Sequence, residues 1–157
     1  MLLILLLIVP IISSWPVPSS NYDGVHCYNE RYTILLDGTF WCHGQKYGPK
    51  LELWQFVGES GSKVNGNIQL QNVNELHYNK TFNYRDSVPT LHVSLKIFHS
   101  CDTHDRSGCR YLHIMKIPDN YIYCNGTYGP SYNFNNLDLS GVGSQVGECI
   151  GDLFMPI

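Results

Sequence analysis

The sequence predicts an all-β fold in which two antiparallel sheets form a disulfide-linked sandwich. Three observations favour this fold class. From residue 21 onward, apolar residues alternate with polar ones in short runs, and no helical period is visible. Clusters of Gly, Asn, Asp and Pro separate these runs, as turns separate strands. The chain has 157 residues, of which 11 are Tyr and 6 are Cys, a composition that suits a small cross-linked β-domain.

Six to eight strands spaced by turns over about 120 residues are typical of two packed sheets rather than a barrel with an open cavity. In residues 50–57 and 91–97 the period of two is clear and implies one buried face for each strand. Strands are predicted at residues 32–42, 50–57, 90–98, 110–117 and 132–139, with a shorter strand near residues 67–73. Turns are predicted at residues 44–49, 58–66, 100–108, 118–121 and 126–130.

Two irregularities inside the strands predict β-bulges. Gly38 lies within the first strand, and the alternation of apolar residues changes phase between Phe134 and Leu137 in the last strand. One extra residue in a strand produces such a change and increases the local twist. We therefore expect a bulge at both places.

Residues 1–20 are predicted to be a signal peptide. An apolar run over residues 2–12 is broken only by Pro10 and is too short to cross a bilayer. Small residues offer cleavage near Ser14 or Ser20. Residues 21–157 contain neither an internal repeat nor a linker, so we expect a single β-sandwich domain that is secreted to the extracellular region.

All six cysteines lie in the predicted mature chain, as three disulfides in an oxidising compartment require. Six cysteines allow fifteen pairings. Cys101 and Cys109 flank a short polar loop, so we favour a disulfide between them. The sequons at Asn79 and Asn125 are candidate glycosylation sites and agree with secretion. The candidate disulfide residues are Cys27, Cys42, Cys101, Cys109, Cys124 and Cys149.

A zinc site is the alternative interpretation of the loop between Cys101 and Cys109. His99, His104 and Asp105 lie close to these cysteines in sequence, and Cys and His are the usual zinc ligands. A disulfide removes both thiolates from metal chemistry, and disulfides are the rule in secreted chains. We therefore predict no metal site.

Motifs for catalysis are missing from the sequence. It contains no nucleophile elbow, zinc-protease pair, phosphate-binding glycine loop or dinucleotide fingerprint, so we predict neither an enzyme nor a cofactor. His92 and His113 lie in two predicted strands, and a pair facing each other across them would titrate in mildly acidic surroundings. The alternative is that both lie on a solvated face without a role.

The charge balance bears on the partners of this protein. The chain has 10 Lys and Arg against 13 Asp and Glu, a net charge of -3. Nucleic-acid binding needs a basic patch or stripe, so we predict no nucleic-acid partner. Anionic lipid also needs a basic patch, so a membrane surface is possible but not favoured. We rank an extracellular or cell-surface protein first.

Several stretches of the chain resemble the transthyretin-like family of secreted nematode proteins. The run LKIFHSC at residues 95–101 resembles the family's LKIYHDC, with Ser100 at the position of the usual Asp. Cys109-Arg110, a strand, Ile117-Pro118 and Tyr121-Ile122 follow it, as in the family. Looser matches cover residues 37–42, 49–54 and 65–70, and Cys27 and Cys124 look like additions to the family's cysteines. The family-motif positions are His99, Cys101, Cys109 and Arg110.

The resemblance implies a prealbumin-like β-sandwich of two four-stranded sheets in a secreted protein without an established enzymatic role, which acts outside the cell through protein or lipid contacts. It favours a binding or adaptor module for a cell-surface protein. Two alternatives from the wider superfamily are a small-ligand carrier and a hydroxyisourate-hydrolase-like enzyme. The hydrolase is disfavoured because the chain ends in GDLFMPI, without that enzyme's terminal Tyr-Arg-Gly-Ser. The partner or ligand, the oligomeric state and the disulfide pairing stay open.

Overall fold

The structure, a computed structural model, describes residues 25, 27, 31–57, 60–83, 91–102, 109–124 and 126–146. These residues form ten β-strands and one 3-10 turn and no α-helix, which confirms the all-β prediction. No helix among them is long and apolar enough to span a membrane. The predicted signal peptide, Asn125 and Cys149 lie outside the described residues.

The strands follow the predicted pattern closely where alternation is strong. The five long strands predicted from the sequence are all found within one or two residues of their predicted bounds. In chain order the elements are β1 (Arg31–Cys42), β2 (Gln45–Lys46), β3 (Lys50–Val57), β4 (Ser60–Asn65), β5 (Glu75–Asn83), β6 (Leu91–His99), β7 (Arg110–Lys116), the 3-10 turn (Asp119–Tyr121), β8 (Ile122–Cys124), β9 (Tyr132–Asp138) and β10 (Ser144–Val146).

These strands form two five-stranded sheets, where the family resemblance implies four strands in each. The first sheet is built around β1, which pairs antiparallel with β2, β5 and β8. Strand β9 also pairs with β1, but in the parallel direction. The second sheet has the order β10-β7-β6-β3-β4 and is antiparallel throughout. The predicted arrangement of two antiparallel sheets is therefore found, with one parallel pair added.

The core lies between the two sheets and is formed by every second residue of their central strands. In β6 the residues Leu91, Val93, Leu95 and Ile97 are fully buried, as their alternation predicts. Burial of each such side chain stabilises the fold by roughly 1.5–3 kcal/mol before entropy costs. From the first sheet and from β3, the core receives Tyr32, Ile34, Leu36, Phe40, Leu51, Leu53 and Leu76.

The bulge predicted in the last long strand lies in β9. Between the registers Asp37–Asn133 and Thr39–Asn136, β9 has one residue more than β1, and the bulge residue Asn135 has a φ of 52°. Gly38 is not itself a bulge, because it pairs regularly with Leu76 of β5. It lies opposite the β9 bulge, where a Cβ would overlap the ring of Phe134. The ring fills the space that the missing side chain leaves.

The prediction was wrong around residues 58–83. Residues 60–65, predicted as a turn, form the edge strand β4, and residues 67–73, predicted as a strand, are irregular. Asn72 and Val73 have positive φ angles of 46° and 74°, so they turn the chain into β5. β5 escaped prediction because it is an edge strand in which only Leu76 and Phe82 are buried. The hydrogen bonds to β1 hold β5 in the sheet, although the sequence of β5 shows no alternation that would predict a strand.

The disulfides also differ from the favoured pairing. Cys101 is bonded to Cys42 and not to Cys109, and a second bridge joins Cys27 to Cys124. Cys42 ends β1 of the first sheet, whereas Cys101 follows β6 of the second, and their Cα atoms lie 5.6 Å apart. This bridge therefore joins the two sheets, a proximity that only the packing creates. Cys109 is also disulfide-bonded, so all five cysteines of the described residues are oxidised.

Candidate functional site

The family-motif residue His99 has a structural role. It is 2% exposed, and its ring stacks on Tyr111 with centroids 5.7 Å apart. Nε2 donates to the carbonyl of Val142 at 2.9 Å, and Nδ1 accepts from the backbone N–H of Cys101 at 3.4 Å. Burial lowers the pKa of this imidazole, although the Val142 carbonyl and nearby Asp102 oppose the shift. Both ring nitrogens of the neutral form are therefore used inside the fold.

The zinc alternative is not supported by the described residues. Cys42, His43 and Cys101 bring three ligand atoms within 4.8 Å of one another, but both sulfurs belong to one disulfide. His43 instead contacts Asp102, with 3.2 Å between Nε2 and Oδ1. A thiolate for zinc would require reduction of that bridge. His104 and Asp105 lie outside the described residues.

The other two histidines singled out by the sequence do not meet. His92 lies opposite Phe56 of β3, and His113 lies opposite Ile97 of β6. Successive residues of a strand point to opposite faces, so His92 shares the outer face of the second sheet whereas His113 shares the inner face with Ile97. The facing pair is therefore not formed: the two side chains lie on opposite faces, and His92 is five positions along β6 from Ile97, the residue opposite His113. Burial lowers the pKa of His113.

The outer face of the second sheet carries the most distinctive group of side chains among the described residues. Directly opposed residues of neighbouring strands share a face, and the registers of β3, β4, β6 and β7 bring basic and apolar side chains together there. We call this surface the basic aromatic face. Its members are Lys50, Lys63, Lys96, Arg110, Lys116, Trp54, Phe56, Phe98, Leu112 and Ile114.

The basic and aromatic side chains of this face contact one another. Lys96 Nζ lies 3.3 Å from the ring centroid of Trp54, a distance at which the ring face attracts the cation by about 0.5–1 kcal/mol at an exposed site. Lys50 Nζ lies 5.7 Å from the ring of Phe98. The rings of Trp54 and Phe56 are stacked with centroids 6.5 Å apart. These contacts hold the cations over an aromatic layer.

Among the described residues of this surface there is one carboxylate. Glu52 is 6% exposed, with Lys50 and Lys63 at 3.4 and 3.5 Å from Oε1 and the indole N–H of Trp54 donating to Oε2 at 3.1 Å. Burial raises the pKa of this carboxyl, but the hydrogen bonds from Trp54 and Lys50 and the charge of Lys63 outweigh burial and lower it. Glu52 is thus ionised at neutral pH and orders the cations around it.

The charge of the chain is unevenly distributed. Five cations against the carboxylate of Glu52 give the described part of this face a net charge of +4, although the whole chain carries -3. Half of the 10 Lys and Arg are therefore on one sheet face. Ile114, which is 54% exposed, lies among them. The net charge of the chain did not predict this surface, because it averages over both faces of the sheet. Most of its residues nevertheless occupy the alternate positions of β3, β6 and β7 that point away from the core.

The other predicted site residues are dispersed. Arg110 is exposed at the start of β7, on the edge of the basic aromatic face. Cys109 beside it is buried. Asn79 lies in β5 and is exposed, as a glycosylation site requires. No family model, curated protein or solved structure matches the chain. The fold and this surface define a disulfide-linked all-β protein with a charged aromatic face.

Proposed function

We propose that the chain is a secreted, non-enzymatic binding module of the transthyretin-like type, which contacts an extracellular or cell-surface protein. The observation that carries the proposal is the basic aromatic face. Two disulfides that join distant parts of the chain are consistent with an extracellular protein. Residues 1–20 have the pattern of a signal peptide.

The partner proposed for this face has an acidic surface. The face extends over about 20 Å along the strands and about 14 Å across them, from the strand spacing of 4.7–4.9 Å and the rise of 3.2–3.4 Å per residue. Trp54 and Phe98 supply aromatic anchors of the kind that dominate protein interfaces. The surrounding lysines are complementary to an acidic partner surface, and they orient the two proteins as they approach each other.

Charge reversal on this face tests the proposal in an assay of labelled protein binding to intact cells. The double variant Lys63→Glu with Lys116→Glu changes two exposed side chains at opposite ends of one cross-strand row, about 14 Å apart across three strand spacings. It brings the charge of the face from +4 to zero. We expect at least about a tenfold loss of affinity, because like charges across an interface cost several kcal/mol.

The matched control is the double variant Arg31→Glu with Lys46→Glu. It changes the net charge of the chain equally, but both exposed residues belong to the first sheet. We expect its binding to stay within about twofold of the wild type. An equal loss in both variants would show that net charge, and not this face, governs the contact.

Treatment of the cells identifies the class of partner. Digestion of surface proteins by a protease is expected to abolish binding. Binding that survives digestion and is competed by vesicles of phosphatidylserine and phosphatidylcholine would contradict a protein partner and establish a lipid surface instead. Binding at about 0.5 M salt should fall steeply, since exposed charges are then screened within a few ångströms.

A further inference from the structure

A polar cleft lies on the outer face of the first sheet, on the side of the sandwich away from the basic aromatic face. Its volume is about 390 Å³, within the range of small-molecule sites. Asp37, Gly38 and Thr39 of β1 form the floor, and Glu75 and His77 of β5 form one wall. The other wall consists of Asn133, Asn135 and Asn136 of β9.

The bulge in β9 creates the asparagine wall. In a regular strand, neighbouring residues point to opposite faces, so Asn135 and Asn136 would not share one side. The extra residue in β9 changes this parity. Phe134 enters the core, 5.2 Å from the ring of Phe40, while the asparagines on both sides of it line the cleft. Bulges are frequent beside binding sites for this reason.

The two walls offer complementary hydrogen-bonding groups. Nδ1 of His77 contacts Oδ1 of Asp37 at 2.7 Å, so in the neutral ring with Nδ1–H donating, Nε2 is an acceptor. Asn72 donates to Oε2 of Glu75 at 2.9 Å, and no described residue holds the second oxygen, Oε1. On the opposite wall, Oδ1 of Asn136 accepts from Thr39 at 2.7 Å, which orients its amide NH2 group as a donor.

The floor is ordered by its own contacts. The indole of Trp41 donates to Oγ1 of Thr39 at 2.9 Å, so an aromatic ring lies beside the polar floor. A hydrogen bond from Ser131 lowers the pKa of Asp37, and His77 adds to the effect. These contacts fix the orientation of polar groups that line the cleft, as recognition of a ligand with several hydroxyls requires.

We propose that this cleft binds a neutral saccharide whose adjacent hydroxyls donate to the Glu75 wall and accept from the asparagine wall. A hydroxyl is both donor and acceptor, so a pair of them satisfies both walls at once. An anionic ligand would meet the carboxylates of Asp37 and Glu75. A metal cation would have to displace His77 and Ser131 from Asp37, whereas a saccharide leaves these contacts in place.

The experiment uses the full chain with Asn79→Gln, because Asn79 lies two residues from His77 in β5, on the same face, and a glycan there would reach the cleft. Saturation-transfer NMR with glucose, galactose, mannose and N-acetylglucosamine detects weak binding of free sugars. An immobilised glycoprotein, before and after enzymatic removal of its glycans, detects binding to protein-linked sugars. Signal with free sugars, or only with the intact glycoprotein, distinguishes the two sources, and either supports the proposal.

Three variants test whether the sugar binds in this cleft. Glu75→Ala and His77→Ala change cleft residues of β5 that are not in the core, and each should weaken binding about tenfold, as loss of a hydrogen bond of about 1.4 kcal/mol does. Asn83→Ala, an exposed change in the same strand outside the cleft, should leave binding unchanged. Thermal unfolding midpoints close to the wild-type value confirm that each variant is folded.

Three results would overturn the saccharide site. One is the absence of signal with all four sugars, together with the absence of any glycoprotein binding that depends on the glycans. Another is sugar binding that survives both Glu75→Ala and His77→Ala. The third is a calcium titration that saturates without sugar and is lost in Glu75→Ala, while sugars fail to bind, which would make the cleft a cation site.

Discussion

Replacement of Gly38 by Ala tests how β1 and the bulged strand β9 fit together. The added Cβ would overlap three carbons of the Phe134 ring, and overpacking of this kind typically costs about 1–3 kcal/mol. Gly38 has no positive φ, so Ala also restricts the unfolded chain and regains about 0.4–1 kcal/mol. From the middle of these ranges we expect Gly38→Ala to lower the free energy of unfolding by about 1.3 kcal/mol.

A double-mutant cycle isolates the clash. Phe134→Ala removes a half-buried ring next to Phe40 and should cost about 2 kcal/mol, below the range for fully buried aromatics. In that background the new Cβ at residue 38 meets open space, so Gly38→Ala should be neutral or stabilise by about 0.5 kcal/mol. The coupling energy between the two positions is then about 2 kcal/mol.

Urea unfolding with the disulfides intact, followed by tryptophan fluorescence, measures all four corners of the cycle. Gly44→Ala is the matched control, because Gly44 has a φ of 75° and no atom near its missing Cβ. Its cost is backbone strain and should be the same with Phe or Ala at position 134. An equal cost of Gly38→Ala in both backgrounds, or a cost below about 0.3 kcal/mol in the wild type, would show that the Phe134 ring does not oppose the added Cβ.

Further predictions concern the disulfides and titrating groups. Peptide mapping without reduction should find the Cys42 peptide linked to the Cys101 peptide, and a Cys101–Cys109 link would contradict the fold. Replacement of both Cys42 and Cys101 by Ser should lower the free energy of unfolding by about 4 kcal/mol, because the bridge spans 59 residues. The lowered pKa of His99 means that the unfolded chain binds the proton first, so stability should fall as pH drops below 6.5, and His99→Gln should flatten that slope. Glu52→Gln should destabilise by about 1 kcal/mol, mostly above pH 4.5, and an unchanged urea midpoint at pH 7 would refute the role of its ion pairs.

The alternation of apolar and polar residues predicted β-strands correctly where a strand has one buried and one polar face. β3 and β6 are central strands of the second sheet, and their apolar residues appear at every second position. β4 and β5 lie at sheet edges and bury few residues, so local pattern could not locate them. For these four strands, position in the sheet decided whether the sequence showed a period of two, because a buried face imposes that period.

The candidate sites depend on the same distinction. Most residues of the basic aromatic face occupy the alternate positions of three strands that point away from the core. The net charge of the whole chain did not indicate that their charges cluster. The cleft was not predictable, since it needs β5, β1 and β9 side by side and the parity change of one bulge residue. Residues such as Glu75, Asp37 and Asn136 are far apart in the chain and have no common motif.

By itself the sequence determined the all-β class, most of the strands and the oxidised cysteines, because these depend on short-range alternation and on residue type. The tertiary structure alone decided that Cys42 bonds Cys101, that the histidines at 92 and 113 lie on opposite faces, and that half of the basic residues share one surface. Pairing of distant strands and the packing of two sheets bring those groups together, and neither can be predicted from the residues on one short segment of the chain.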